Sequence, residues 1–309
     1  MVLTGFLLIV LVEVILVYIF SFFSNKTNLL LEYPSERKKH NKPVPLIGGV
    51  ILFLMVLFLS KLGIYENNII SDVVFYIVFA IGIIDDLLEI PYYLKLLLQF
   101  IAGIFYINSH HLYFLGFDNL TTKIVTFLFF IVIVNAFNLI DGVNGLLIGI
   151  AIIYSLMTLN FEIALLLLIL LFFNFQESLF MGDSGAFLVA YILLNSAGKI
   201  SVDILKLVVF FGYPIYEISS SFLRRILLGS NPFKPDTYHL HHIGVKKFGH
   251  VFFLINAYLL SLGFAILSTK KFGLIIYFIV SAIIFVFQIN TIKHFEHSKG
   301  VSEGNDSDF

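Results

Sequence analysis

The sequence predicts an all-α protein, a polytopic integral membrane bundle of about 10–11 transmembrane helices with its N-terminus outside. Three observations carry that expectation. Hydrophobic residues make up 59% of the 309-residue chain, and mean hydropathy is +0.99. One water-soluble core of this size cannot hide so much apolar surface. Charged residues make up only 13%, about half the share usual in soluble domains. The apolar residues also fall into runs that can cross or enter a bilayer, with short polar clusters between them. A soluble globular enzyme, a disordered chain and a coiled coil are excluded. The net charge of −1 gives no reason to expect a nucleic acid as partner. Absence of cysteine excludes disulfides, thiolate metal sites and cysteine nucleophiles. Tryptophan is absent too, so an interfacial aromatic belt must be built from Tyr and Phe.

In chain order, the first run is Leu3–Phe23, which lacks a basic flank and a small-residue cleavage site and reads as a retained span. Glu13 near its middle must face a partner helix or be protonated. Ile47–Ser60 follows a Pro-Leu-Ile-Gly-Gly turn. Ile70–Ile84 ends on Asp85-Asp86, and acids at a helix C-terminus oppose the macrodipole unless a cation stands near. Lys95 and Gln99, one turn apart, begin the next run, Leu94–Ile107. Lys123–Leu139 leads into Asn135-Ala-Phe-Asn138-Leu-Ile-Asp141-Gly142-Val143-Asn144-Gly145. Leu146–Leu159 and Ile163–Phe175 come next, and Phe180-Met181-Gly182-Asp183-Ser184-Gly185 precedes Ala186–Ala197. Ile204–Phe222 gives way to a long polar loop, and Val251–Ser268 and Phe272–Thr291 close the bundle without a charge in either. Residues 1–297 thus read as one transmembrane domain with polar loops at 24–46, 85–94, 135–146, 176–186 and 223–250, and residues 298–309 as a flexible polar tail.

Counting eleven spans, 13 of the 19 lysines and arginines fall on the face shared with the C-terminus. The positive-inside rule places that face in the cytoplasm. The same parity puts Asp85-Asp86, Asp141, Asp183 and the histidine run His239-Leu240-His241-His242 on that face, so four clusters distant in sequence converge at one depth beside lipid.

Each cluster has chemistry to offer. Asn and Asp recur at spacings of three around Asn135, Asn138 and Asp141, and polar groups at that depth are costly unless hydrogen-bonded. A capped turn explains one of these residues, with Asp141 or Asn144 as N-cap. Asp183 between glycines at a helix start suits Mg²⁺ or phosphate. The Gly-Asp-Ser-Gly string is not that of a trypsin-like protease, because its flanks are membrane spans. Three histidines in four residues lack the Cys or further His to complete a zinc site. With Arg224 and Arg225 nearby they suit a diphosphate better. Acids, amides, cations and histidines without an activated serine or cysteine fit metal-dependent phosphoryl-type transfer between a nucleotide-activated donor and a lipid.

The ordered set PLIGG, DD, KLLLQ, NAFNLIDGVNGL, FMGDSGA, RR, GSNPFKPD and HLHH, from about Lys38 to His242, resembles the polyprenyl-phosphate N-acetylhexosamine-1-phosphate transferases. These are relatives of the phospho-MurNAc-pentapeptide translocase, and the PLIGG form resembles the branch that initiates O-antigen. The resemblance implies a multi-pass enzyme of the bacterial cytoplasmic membrane with a catalytic domain over residues 1–297 and an active site facing the cytoplasm. It implies a UDP-HexNAc donor, an undecaprenyl phosphate acceptor, release of UMP, and Mg²⁺, with Mn²⁺ as a substitute. The bilayer and, as an option, a second copy of the chain complete the expected partners.

Residue by residue, the resemblance makes Asp183 the leading metal ligand, with Asp86 and Asp141 beside it. Asp85 and Asp86 become the catalytic acid pair, binding metal or deprotonating the lipid phosphate. Asn138 and Asp141 shape the nucleotide and metal pocket, Phe180 stacks on uracil, and Lys95 contacts the diphosphate. His241 and His242 meet the diphosphate or sugar, and Gly142, Asn144, His239, Arg224 and Arg225 complete substrate binding. Two positions depart from the family: Asn144 stands where relatives often carry Asp, and Thr237 where they often carry Arg. A CDP-alcohol phosphatidyltransferase is the competing enzyme reading, but it needs further aspartates after Asp141-Gly142. An ion-coupled transporter is the non-enzyme reading, but its polar residues belong at the midplane.

Overall fold

In a computed structural model the described residues are 2–34, 42–117, 119–227, 229, 231 and 238–305. Helix α1 (Val2–Thr27) leads to a two-stranded antiparallel hairpin, β1 (Leu31–Glu32) and β2 (Val44–Pro45). Then come α2 (Gly48–Lys61), the short α3 (Asn67–Ser71), α4 (Val73–Leu88), α5 (Tyr92–Ser109), α6 (Asn119–Ile140), α7 (Leu146–Met157), α8 (Phe161–Phe175) and α9 (Gly182–Ile200). The chain ends with α10 (Ile204–Phe210), α11 (Gly212–Leu227), α12 (Leu240–Phe248), α13 (His250–Leu267) and α14 (Gly273–Asn305). Every one of the eleven anticipated spans coincides with helix.

Two of them are broken. Ile70–Ile84 divides at Asp72, which caps α4 by accepting from Val74 N–H at 2.9 Å. The run Ile204–Phe222 divides at Phe211 because Pro214 offers no N–H to the carbonyl four residues back and its ring clashes there. Pro214 instead sits in the first turn of α11, where no N–H is needed. Other boundaries differ in a way that matters for the site. Asp85 and Asp86 lie inside the last turns of α4, and Asn135 and Asn138 inside α6, where a loop was anticipated. α14 runs on to Asn305, into the stretch anticipated as a tail, and residues 306–309 lie outside the described residues.

Among the described residues four helical segments are long and apolar enough to cross a membrane: Gly5–Thr27, Asn119–Ile140, His250–Leu267 and Gly273–Lys293. The shorter apolar helices α2, α7 and α8 pack among them. The protein is an all-α, multi-pass membrane bundle. α9 is its central post. Its residues Ala186 to Leu194 are all buried, as expected of a helix apolar on every side. α1 lies at the edge against α8 and α2, and it turns Glu13 into the protein, where that side chain is fully buried.

Small residues let the site's helices meet. A Cβ on Gly49 of α2 would fall 2.2 Å from the backbone nitrogen of Gly185, and one on Gly82 of α4 would fall 2.3 Å from the Cα of Ser184. α2 and α4 therefore both cross the first turn of α9 at backbone contact. The Pro-Leu-Ile-Gly-Gly segment is sewn to the same place: Phe180 N–H donates to the Pro45 carbonyl, and Gly48 and Gly49 N–H donate to the carbonyls of Phe180 and Met181.

Candidate active site

The first turn of α9 carries Asp183, and its surroundings come from three other helices. Lys95, in the first turn of α5, lies 2.7 Å from Asp85 Oδ2 and also pairs with Asp183 Oδ2. Asn138 Nδ2 of α6 donates to the same Asp183 oxygen at 3.4 Å. One ammonium thus bridges two carboxylates 98 residues apart in sequence, each less than a quarter exposed. Asp85 Oδ1 is buried and has no hydrogen-bond partner among the described residues.

Asp86 is used differently from its neighbour. Its two oxygens accept the backbone N–H groups of Asp183 (2.7 Å) and Ser184 (3.0 Å). The carboxylate therefore caps α9, placing negative charge at the positive end of that helix. The electrostatic cost of an acid at the end of α4 is offset by the start of α9. Gly182 makes the approach: its φ is +68°, and a Cβ there would lie 2.6 Å from Asp86 Oδ2.

Loss of water and crowding of like charges show in the acids themselves. Burial pushes the Asp183 carboxyl up to about 7 against the pull of Lys95, and the nearby Asp85 adds to the rise. Burial raises Asp86 to about 6, opposed by its hydrogen bonds from Ser184 and Asp183. Asp141 is raised well above the usual carboxylate range by burial first, then by Asp183, Glu32 and Asp86. One lysine does not neutralise this group of acids.

The next wall is the Asp141–Gly145 turn. Asn174 of α8 holds it: Asn174 Oδ1 accepts from Gly145 N–H at 2.7 Å and its Nδ2 donates to the Leu179 carbonyl at 3.1 Å. The Asn144 and Gly145 carbonyls accept from His250 Nε2 (2.8 Å) and the Tyr258 hydroxyl (2.7 Å). On the inner helix face, Asn135 and Gln99 form a reciprocal amide pair at 2.7 and 3.4 Å.

Facing Gly142 are the histidines. A Cβ on Gly142 would lie 3.3 Å from His241 Nε2 and 3.7 Å from His242 Cε1. His239 stacks parallel to His241 with ring centroids 5.2 Å apart, and its Nδ1 lies 2.7 Å from the Ser221 hydroxyl. Glu217 of α11, a residue sequence reasoning passed over, anchors the run. It is fully buried and lies 3.0 Å from His241 Nδ1. Its signal was an acid inside an apolar run, four residues after Tyr213.

Of the anticipated residues, the fold gathers Asp85, Asp86, Lys95, Asn138 and Asp183 in one cluster. Gly142 brings His241 and His242 against the turn that carries Asp141. Asn144 turns its side chain to Glu177 at 3.5 Å. Arg224 is buried with its guanidinium 5.6 Å from the Tyr238 ring centroid, and Arg225 is half-buried. Phe180 is half-buried beside Leu46 in the segment that binds α2. Thr237 and the Pro232–Asp236 stretch lie outside the described residues.

Among the described residues no three acidic or imidazole side chains form a ready-made metal cage. Mg²⁺ does not need one, since it is commonly held by one or two carboxylates plus substrate phosphates and water. Asp85, with its orphaned oxygen, and Asp183 fit that pattern.

Fold and site together define a class: a multi-pass membrane protein whose polar centre, at one end of the bundle, is equipped for phosphoryl-type transfer. The glycosyl transferase family 4 profile matches residues 68–199, which include the acid pair, Lys95, the Asn-Asp-Gly turn and Asp183. An undecaprenyl-phosphate alpha-N-acetylglucosaminyl 1-phosphate transferase of Thermotoga maritima is 32% identical over 87% of this chain and 91% of its own. A probable undecaprenyl-phosphate N-acetylglucosaminyl 1-phosphate transferase of Bacillus subtilis is 28% identical over 83% and 82%. The Escherichia coli K12 alpha-N-acetylglucosaminyl relative is 27% identical over 73% and 72%. The chain belongs to the polyprenyl-phosphate N-acetylhexosamine-1-phosphate transferases of glycosyl transferase family 4.

Proposed function

We propose that this chain transfers an N-acetylhexosamine 1-phosphate from a UDP-sugar to undecaprenyl phosphate at the cytoplasmic face of the bacterial cytoplasmic membrane. An oxygen of the lipid phosphate attacks the sugar-bearing phosphorus of the donor. The bond between the two donor phosphates breaks, UMP leaves, and a lipid-diphosphate-linked sugar remains to initiate a cell-surface glycan.

The observation that carries this reading is the meeting of Asp85 and Asp183 on Lys95, with one Asp85 oxygen left without a partner. Such a cluster is short of positive charge and sits where an anionic soluble donor meets a lipid acceptor. Asp85 and Asp183 would hold Mg²⁺, which when bound supplies charge neutralisation to the diphosphate. Lys95 orients the two acids and would contact phosphate oxygens of the donor. Asp86 keeps Asp183 in place by capping α9. Asn138 offers its amide beside Asp183, and His241 and His242 lie against Gly142.

The test is release of UMP from a panel of UDP-HexNAc donors by purified protein. Release is expected only when both Mg²⁺ and undecaprenyl phosphate are present. Absence of release with every donor would remove the proposal.

A further inference from the structure

Four hydrogen bonds converge on the Glu217 carboxylate. Oε1 accepts from the Tyr213 hydroxyl (2.9 Å), His241 N–H (3.0 Å) and His241 Nδ1 (3.0 Å), and Oε2 accepts from Leu240 N–H (3.1 Å). A fully buried carboxylate is costly, and only donors such as these offset it. Two of them are the first N–H groups of α12, where negative charge is favoured.

The arrangement decides which ring nitrogen of His241 carries hydrogen. An ionised carboxylate only accepts, and Oε1 already takes two other donors, so Nδ1 must hold the proton of this contact. Nε2 is then the nitrogen left for the pocket, and it is the atom that points at Gly142 beside Asp141. The ring is also clamped in rotation. His239 stacks on one face at an interplanar angle of 1° and is itself bound to Ser221.

We propose that Glu217 is a positioning residue, fixing the ring and the Nδ1–H form of His241 so that Nε2 is presented to the donor diphosphate. This rests on the reading of the site as a UDP-sugar phosphotransferase, but its structural half stands apart from turnover. Neither Glu217 nor α11 lies within the stretch matched by the family profile.

The experiment combines a spectroscopic and a kinetic readout. Nitrogen-15 histidine spectra of the full chain in nanodiscs, with His241 assigned by its loss in His241→Asn, should show the Nδ1–H form in the unaltered protein. Glu217→Ala should mix the two forms, and Glu217→Gln, which keeps one acceptor oxygen, should restore part of the population. In the UMP-release assay, His241→Asn and Glu217→Ala should each lower kcat about 10–100-fold, in line with other residues that orient functional histidines. The double variant should be no worse than either single one. An Nε2–H form in the unaltered protein overturns the proposal without any variant having to fold. So do additive losses in the double variant. An unaltered protein that shows the expected tautomer but releases no UMP from any donor would count against the phosphotransferase reading while leaving the positioning geometry intact.

Discussion

Asp85 belongs to an acid wall gathered around Lys95 and His241 to a histidine wall set against Gly142, and their surroundings differ in kind. On the acid wall a single ammonium is shared by two carboxylates, Asp85 retains an orphaned oxygen, and burial drives the Asp183 carboxyl up to about 7. On the histidine wall Glu217 receives four donors and His239 is tied to Ser221. The imidazoles are arranged before any ligand arrives. The acids are arranged around one ammonium with an Asp85 oxygen unpartnered, which is the feature the proposed Mg²⁺ would complete. The same contrast occurs within the adjacent pair: Asp86 spends both oxygens on α9, and Asp85 does not.

The largest effect that contrast predicts is at Asp183. Asp183→Asn should fold, shown by an unchanged circular dichroism spectrum, and lose about 1,000-fold or more in UMP release, because a carboxylate at the reacting centre is removed. Activity near that of the unaltered protein would take Asp183 out of the metal role. Asp86→Ala should act through α9 instead. Loss of a cap costs roughly 1–2 kcal/mol, to be read as a lower denaturation midpoint, and the amides of Asp183 and Ser184 should exchange faster with deuterium. If Mn²⁺ affinity fell as far in this variant as in Asp183→Asn while those amides stayed protected, Asp86 would be a ligand and the division of the pair would be wrong.

Asn174→Ala leaves the Gly145 N–H without its side-chain acceptor, at about 1–3 kcal/mol. Its stability loss should exceed its effect on Mn²⁺ affinity, and the reverse order would place Asn174 in the binding wall. The smallest effect should be at Lys199→Ala. Its ion pair with Glu66 is half exposed and at the other end of α9 from Asp183, so a change within about 0.5 kcal/mol is expected in thermal unfolding.

Much of this was written in the sequence. The helices were legible because an apolar run of helical length leaves few alternatives, though among the described residues four are long and apolar enough to cross a membrane. Parity set Asp85, Asp141, Asp183 and the histidines on one face as an expectation, and in the fold it is helix packing that brings Asp85 to Asp183 and the histidines to Gly142. Pro214 announced the break before α11, but a run read for hydropathy alone concealed it. The cap by Asp86 was not legible, since its partners lie 97 and 98 residues away and only packing of α4 on α9 brings them together. Glu217 was hidden for a related reason: its value depends on an α12 that begins 23 residues later. Pro-Leu-Ile-Gly-Gly read as turn chemistry, and its larger role as a seam to Phe180 needed the three-dimensional pairing.

In the proposed reaction the acid wall is completed by a divalent cation together with the donor. Mn²⁺ binding by the full chain, followed by electron paramagnetic resonance with and without UDP-GlcNAc, tests it most directly. One tight Mn²⁺ is expected in the presence of the nucleotide sugar, lost in Asp183→Asn and weakened in Asp85→Asn. Equal Mn²⁺ binding by the unaltered protein and by both variants would contradict it.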